Sequence, residues 1–538
     1  MGPSATWQRC CRRIQPTETY MKTSIASALL LTSALTAPAF AESLTRVATV
    51  PLGGEITGMF QQGDDLFFNV QHPADDIGTA FAKATVGVIA NADFAAGELA
   101  VPEGDEMKVV KSTLGAYQVL VQEGDFGKIG HIAGAGGEIK VSNDPDFNAY
   151  VATGDAEGYL FTNWEDRPGG MSRVKLMRAA DGTYSVDEAD AMMIDFSAVQ
   201  GTWVNCFGTL SPWSTPLTSE ELYFDDTADW NNPDYKYIDG VEDLAAYVGA
   251  WPNPYRYGYI VEITDPAGSA TPVKHFSMGR YSHENSVVMP DDKTVYLSDD
   301  GTNVVFYKFV ADAAGDLSAG TLYAAKMTQS AESGADAATT GFDVEWIELA
   351  SGNNAEIEGW IAEYDGITTD DYMADATAYI SDEDVAAWAA GEAADNRVAF
   401  LESRKAASAK GATAEFRKME GVNINYAAAK DGSVPFMYMA MSEVAKGMSD
   451  AEGDIQVSEV KCGVVYEFPL EADYNTTKMV PVVAGGAYDK NAEANACNVD
   501  AISNPDNLLV LSNGDVLIGE DTGAHENNAM WLWSKGAM

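Results

Sequence analysis

Positive charge is scarce in this chain. Its 538 residues hold 33 Lys and Arg against 81 Asp and Glu, for a formal net charge of −48. That balance argues against nucleic acid and against an anionic membrane as partners, since both are held by basic patches. It suits a protein in salty surroundings, or one that binds hard cations. Histidine is scarcer still: five residues, at 72, 131, 275, 283 and 525, are too few for a histidine-rich zinc site. Three common catalytic signatures are missing as well, the G-x-S-x-G elbow, H-E-x-x-H and G-x-x-x-x-G-K-[ST]. Beyond residue 41 no apolar run is long enough to span a bilayer.

Residues 21–41 (M-K-T-S-I-A-S-A-L-L-L-T-S-A-L-T-A-P-A-F-A) read as a secretory signal, with Lys22 as the charge, an apolar run, and Ala39-Phe40-Ala41 as the cleavage site. Arg12-Arg13 lies far from that run, which weakens a twin-arginine reading. Residues 1–41 are therefore expected to be leader and signal peptide, and 42–538 one exported domain, periplasmic or secreted. Removing the leader takes away Arg9, Arg12, Arg13, Lys22 and Glu18 and moves the formal charge to −51. It also removes Cys10 and Cys11, leaving Cys206, Cys462 and Cys497. In an oxidising compartment an odd count leaves one thiol over. The favoured pairing is Cys462 with Cys497, with Cys206 free; the count alone leaves the other pairings open.

What the chain does have is short alternating apolar runs closed by Gly, Asp, Asn and Pro. Examples are L-F-F-N-V (66–70), Y-G-Y-I-V-E-I (257–263), V-V-F-Y-K-F-V (304–310) and V-V-Y-E-F-P-L (464–470). Strands of this length and spacing predict an all-β fold, and the size favours a β-propeller over a sandwich. Helical insertions are expected near 240–251 and 370–418, the second either capping a mouth of the propeller or decorating its surface.

The densest chemistry lies in residues 203–221, W-V-N-C-F-G-T-L-S-P-W-S-T-P-L-T-S-E-E. Pro212 and Pro216 fix φ and remove backbone donors, which predicts a rigid loop rather than a regular element. A rigid loop presenting Cys206 beside Glu220-Glu221 fits a metal site. The plainer reading is a buried cysteine next to two solvated glutamates. Further carboxylates stand beside strands at Glu284, Asp299-Asp300, Glu420, Asp506 and Glu520-Asp521. Oxygen-rich clusters suit Ca²⁺, and an added thiolate suits a transition metal such as iron.

These stretches resemble the PhoX-type alkaline phosphatases. N-C-F-G-T-L-S-P-W-S-T-P-L-T-S-E-E (205–221) is similar to that family's signature loop. G-R-Y-S-H-E (279–284), V-Y-L-S-D-D-G (295–301), F-Y-K-F-V (306–310), F-R-K-M-E-G (416–421), N-P-D-N-L (504–508) and G-E-D-T-G (519–523) follow in the family's order. G-Y-L-F-T-N-W-E-D (158–166) resembles an upstream block, with Trp164 where the family usually has histidine. The resemblance implies a six-bladed propeller that hydrolyses small-molecule phosphate esters with Fe³⁺ and Ca²⁺ joined by an oxo bridge. It implies Cys206 as an iron ligand, Glu221, Glu284, Glu420 and Asp506 sharing iron and calcium, and Glu520 and Asp521 as further candidates. Metals would reverse the local sign so that an anionic phosphate can approach.

Two departures stand out. Ser219 replaces a second cysteine, and Lys418-Met419-Glu420 stands where the family often has R-P-E. The phosphate grip then falls to Lys418 as a point charge, or to Arg417 beside it. G-G-E-I-T-G-M-F (53–60) and L-F-F-N-V-Q-H-P (66–73) resemble a block that usually ends the family's chains. Strands near 45–71 are therefore expected to complete a sheet begun near 508–534, closing the ring and carrying Glu55 to the same mouth. The protein is expected to act as a monomer without nucleic-acid or membrane partners. Two other readings remain, a lactonase-like calcium-propeller hydrolase and a calcium-binding propeller without turnover; a free thiol at Cys206 argues against both.

Overall fold

Antiparallel pairing between neighbours in sequence builds almost the whole molecule. The computed structural model describes residues 42–224, 226–374 and 378–536; the leader read over 1–41 lies outside them. One sheet runs Glu55–Gln62, Asp65–Gln71, Thr85–Ile89, Tyr117–Gln122. The next runs Pro145–Ala152, Glu157–Trp164, Gly170–Arg178, Tyr184–Met193, and a third Asn205–Leu210, Pro216–Glu220, Ile260–Thr264, Thr271–His275. A nine-stranded sheet extends from His283–Val288 to Met419–Asn423, its two halves joined where Phe342–Asn353 pairs with Lys478–Ala484. A last sheet begins with Pro505–Val510.

Six inner strands, Glu55–Gln62, Pro145–Ala152, Asn205–Leu210, His283–Val288, Met419–Asn423 and Pro505–Val510, each lie against the next, and the sixth lies against the first. This is a β-propeller. Two of its sectors share the nine-stranded sheet, so inner strands and separate sheets do not correspond one to one.

The ring is closed by the two ends of the chain. Ser43–Thr49 pairs antiparallel with Ala529–Ser534, Leu44 opposite Trp533 and Arg46 opposite Trp531. The Arg46 guanidinium lies 4.7 Å from the centre of the Trp531 ring. The expected clasp over 45–71 needs one correction. Only Ser43–Thr49 enters the closing sheet from this stretch, whereas Glu55–Gln62 and Asp65–Gln71 open the adjoining one. The reason is the two-residue turn Gly63-Asp64, with Gly63 at φ 61°, which locks those strands into a hairpin from Gln62↔Asp65 onward.

Residues 203–221 also differ from the expected rigid loop. They form a hairpin, Asn205–Leu210 with Pro216–Glu220, paired from Leu210↔Pro216 to Asn205↔Glu220. Pro216 is tolerated because it opens its strand, and Pro212 falls in the connecting turn. Trp203, fully buried, packs on Trp230 at 4.8 Å and on Phe224, fixing the entry to the hairpin.

Helices occur at Ile238–Val248, Asn354–Ala362, Asp382–Ala389, Arg397–Leu401 and Ser403–Ala409. The last four bury Ile357, Trp388 and Phe400 in one core with Tyr255, Tyr259 and Phe309. Cys462 and Cys497 form a disulfide across 35 residues, and Cys206 is free and buried. For a loop of 35 residues, the Cys462→Ala/Cys497→Ala variant is expected to lose about 3–4 kcal/mol of stability. Urea unfolding checks this: the midpoint should fall, and an unchanged midpoint would show that the crosslink contributes nothing.

Candidate metal centre

Pairing register explains why so many acids meet at one mouth. In all six inner strands the same irregularity recurs, two residues of the inner strand facing one of its neighbour, and in five of them the bulge carries a ligand-type side chain. The flanking pairs are Pro145↔Trp164 and Asn148↔Thr162, Asn205↔Glu220 and Gly208↔Thr218, His283↔Asp299 and Ser286↔Leu297, Met419↔Met441 and Val422↔Met439, Pro505↔Glu520 and Leu508↔Ile518. Such a bulge re-aims the side chain it carries. Its first residue is Asp146, Cys206, Glu284, Glu420 or Asp506. In Glu55–Gln62 the bulge falls at Gly58-Met59 and offers no donor.

The neighbouring strand adds a second acid, just past its end. Glu165, Glu221, Asp300 and Asp521 take this place, and Ser442 takes it beside Glu420, donating to Glu420 Oε1 at 2.7 Å. Three groups of ligand atoms lie within 4.8 Å of one another: Asp146, Cys206 and Glu284; Glu165, Cys206 and Glu221; Glu284, Glu420 and Asp506. Cys206 Sγ is 3.1 Å from Glu284 Oε2. A Cβ on Gly421 would lie 2.9 Å from the Asp506 carbonyl. Glycine there lets the strands bearing Glu420 and Asp506 approach.

In the doublets Glu220-Glu221, Asp299-Asp300 and Glu520-Asp521 the first residue is fully engaged elsewhere. Glu220 accepts from Lys274 Nζ at 2.8 Å and from the amides of Trp203, Gly258 and Tyr259. Asp299 is chelated by Arg404. Glu520 accepts from the amides of Ser503 and Ala529, from Trp531 Nε1 and at 3.0 Å from the His525 ring. Neither Glu220 nor Glu221 is solvated; both are buried.

Of the residues singled out in the sequence, Cys206, Glu221, Glu284, Glu420 and Asp506 come together. Asp521 stands close enough to push up the carboxyls of Glu55 and Asp506, after burial and, for Asp506, three nearer acids. Glu520 is not brought into any of the three groups. Glu55 sits at the rim, 2.8 Å from His72 Nε2. Burial pulls the imidazole down, but the bond to Glu55 outweighs it and holds His72 up at about 10. Lys418, at φ 50°, reaches Glu420 Oε1 at 3.1 Å and keeps about a third of its side chain exposed. Arg417 is committed to Glu443 at 2.8 Å and to Thr302.

Asp146 and Glu165 escaped the sequence reading. A signal for Asp146 was present: P-D-F-N (145–148) echoes P-D-N (505–507), whose aspartate was recognised. Glu165 lies inside G-Y-L-F-T-N-W-E-D (158–166), at the register position that Glu221 takes one sheet later.

Crowding makes the acids hard to ionise. Burial, then Glu420, Asp146 and Asp300, drive Glu284 well above the carboxylate range. Burial and then Asp300 raise Glu221, and burial and then Glu165 raise Asp146. Glu420 rises to about 7 through burial and Asp300, against the pull of Lys418. Glu165 rises to about 7 through burial and Asp144. The Cys206 thiol is pushed well up by burial and by Asp146, Glu284, Glu165 and Glu221. Like charges this close and this buried cannot all stand without cations among them.

Fold and site together define a β-propeller with many carboxylates and one thiol gathered at one mouth. The family model described as Alkaline phosphatase PhoX matches residues 162–537, more than two thirds of the chain. The protein belongs to the PhoX alkaline phosphatase family, whose members are phosphoric ester hydrolases. Glu55, His72 and Asp146 precede the matched residues. Among solved structures, Pseudomonas fluorescens PhoX in complex with vanadate, a transition state analogue, is similar with a TM-score of 0.53 and 19% identity, over 74% of this chain and 78% of that one. The calcium structure of Trichoderma reesei Carbohydrate-Active Enzymes Family AA12 gives a TM-score of 0.34 and 11% identity, over 94% and 99%. Trypanosoma rangeli sialidase gives 0.37 and 8%, over 92% and 60%. The curated proteins hold no match. No helix among the described residues is long and apolar enough to cross a membrane.

Proposed function

We propose that this is an exported alkaline phosphatase, periplasmic or secreted, that hydrolyses small-molecule phosphate esters at a centre of iron and calcium. The observation that carries the reading is the fivefold bulge, which aims Asp146, Cys206, Glu284, Glu420 and Asp506 at one place. The donor set fits the metals. Asp300, only 3% exposed, has an Oδ1 with no hydrogen-bond donor, and carboxylate oxygens with one thiolate suit calcium and iron. Cys206 would bind iron, with Asp146, Glu165 and Glu221 around it. Glu420 and Asp506 would bind calcium, with Glu284 between the two sets. Bound there, the metals would supply Lewis acidity and the positive charge that admits an anionic ester.

The chain's own task is to hold the ester and shield the developing charge. Lys418 is placed for this: its ammonium sits at the mouth, bonded to Glu420, with room to reach a phosphate oxygen. The charges of Glu420 and Asp300 keep it protonated. Arg417 serves as an anchor between Glu443 and Thr302.

Lys418→Met is accordingly expected to raise KM and lower kcat/KM by about ten-fold or more, the effect of one charge-assisted hydrogen bond. Lys418→Arg should keep or improve the wild-type value, and Arg417→Ala should change it little. Steady-state hydrolysis of p-nitrophenyl phosphate, with and without calcium, provides the test. No calcium-dependent phosphate release from the wild type would sink the reading, and a large loss in Arg417→Ala with none in Lys418→Met would move the phosphate grip to Arg417.

A further inference from the structure

Asp300, like Asp521, belongs to none of the three tight ligand groups, yet its surroundings are closely fixed. It follows the strand Thr294–Asp299. Its amide donates to the Ser282 carbonyl at 2.9 Å, and its own carbonyl accepts from Arg404 Nη2 at 2.8 Å. Arg404, from the helix Ser403–Ala409, also chelates the preceding Asp299, with Nε 2.9 Å from Oδ2. The backbone of Asp300 is thus pinned from both sides. Its side chain receives one donor, the Tyr223 hydroxyl, 2.9 Å from Oδ2. The other oxygen, Oδ1, is buried and has no donor.

Asp300 Oδ1 is not idle space-filling. Asp300 follows its strand as Glu221 follows Pro216–Glu220 and Glu165 follows Glu157–Trp164, and the Tyr223 hydroxyl, two residues from Glu221, holds it at 2.9 Å. The carboxylate therefore stands among the groups that would carry metal and phosphate. A buried carboxylate oxygen without a donor is costly unless a cation meets it. Tyr223 lies two residues beyond Glu221 and reaches across to the next sheet of the ring. It therefore ties the signature hairpin to the acid of a neighbouring sector. The Tyr223 backbone carbonyl accepts in turn from the Tyr235 hydroxyl at 3.3 Å.

Resting on the metal-dependent reading above, we propose that Asp300 is a further cation ligand of the centre, acting alongside Glu221 and Glu420, and that Tyr223 is its positioning residue. By holding Oδ2, the phenol presents Oδ1 to the cation and prevents the carboxylate from rotating toward Lys418. Outer partners that orient a ligand in this way typically govern metal affinity by 10–100-fold.

The test uses the full-length protein, stripped with chelator and titrated with calcium. Tyr223→Phe removes one hydroxyl and leaves the half-buried ring. It should weaken calcium affinity about ten-fold and lower kcat more than it raises KM. The melting temperature of the chelated protein should not change. Asp300→Asn should weaken calcium at least as much, and the double variant should bind calcium no more weakly than Asp300→Asn alone, because the hydroxyl acts only through that carboxylate. Calcium affinity equal to wild type in Tyr223→Phe, with or without a drop in the melting temperature of the chelated protein, would reduce the bond to a structural tie and overturn the proposal. Additive losses in the double variant would overturn it too. If the wild type takes up no calcium, the metal-dependent reading itself falls; if it takes up calcium and hydrolyses esters while Tyr223→Phe does the same, only the present inference falls.

Discussion

Cys206→Ser is expected to abolish most ester hydrolysis while leaving the propeller folded. The thiol is 6% exposed and belongs to two of the three ligand groups. In the absence of metal, burial and then the surrounding carboxylates hold it protonated. Metal binding reverses that, because a coordinating thiol loses its proton to the site. A serine hydroxyl fits the same space but does not ionise as a thiol does. Since even outer partners of a metal ligand are worth 10–100-fold, loss of the sulfur should lower kcat by roughly a hundred-fold or more. Iron per chain should fall in parallel. The hairpin should survive, since its register and the Trp203 anchor do not involve Sγ. Wild-type turnover and iron content in the serine variant would remove Cys206 from the centre.

The second large effect concerns metal removal and pH. Glu420 and Glu165 have their carboxyls raised to about 7, in each case by burial first, then by Asp300 and Asp144 respectively. An acid whose folded-state pKa lies above its unfolded value favours the folded state only while it keeps its proton. That stability is complete below the unfolded value and is lost as pH rises through about 7 for these two residues. Asp65 and Glu443, shifted the other way, act at lower pH, and His283, which burial lowers to about 3, offsets only the part of the loss that falls below its ordinary value of 6.5. The chelated protein should therefore melt at a distinctly lower temperature at pH 8 than at pH 5.5. Calcium and iron should restore stability most strongly at the higher pH, where the deprotonated carboxylates bind them. Melting curves at the two pH values, with chelator and with metals, decide the matter. Equal melting temperatures for the chelated protein would mean that the mouth tolerates its charges unaided.

Much of the architecture could be read from the chain before its folding was known. Short alternating runs closed by turn residues identify an all-β propeller, and the resemblance of residues 53–73 to a block that usually ends the family's chains points to closure by terminal strands, which Ser43–Thr49 supplies. The parts that escaped share a cause. Whether residues 53–73 join the closing sheet depends on a two-residue turn at Gly63-Asp64 keeping its strands together, and that is a matter of partner choice. The prolines of residues 203–221 argue locally for a loop, yet Pro216 sits at a strand's first position and costs the hairpin nothing.

The site was legible where a residue type is unusual, as with Cys206, and where a resemblance carried Glu221, Glu284, Glu420 and Asp506. Asp146 and Glu165 were missed because their place at the mouth comes from register. A bulge that sets two residues against one is invisible until the partner strand is known. Once it is known, the repeated position explains each member. It also explains why Glu221 and Asp300 face the mouth while Glu220 and Asp299 are consumed by Lys274 and Arg404.

Elemental analysis of the purified protein, paired with a phosphate-ester assay on the same sample, decides whether the mouth is a metal-dependent phosphatase centre. Iron and calcium should be bound together, hydrolysis should stop on chelation and return with the metals, and Cys206→Ser should lose iron. Calcium alone, with no phosphate released from any ester, would contradict that reading.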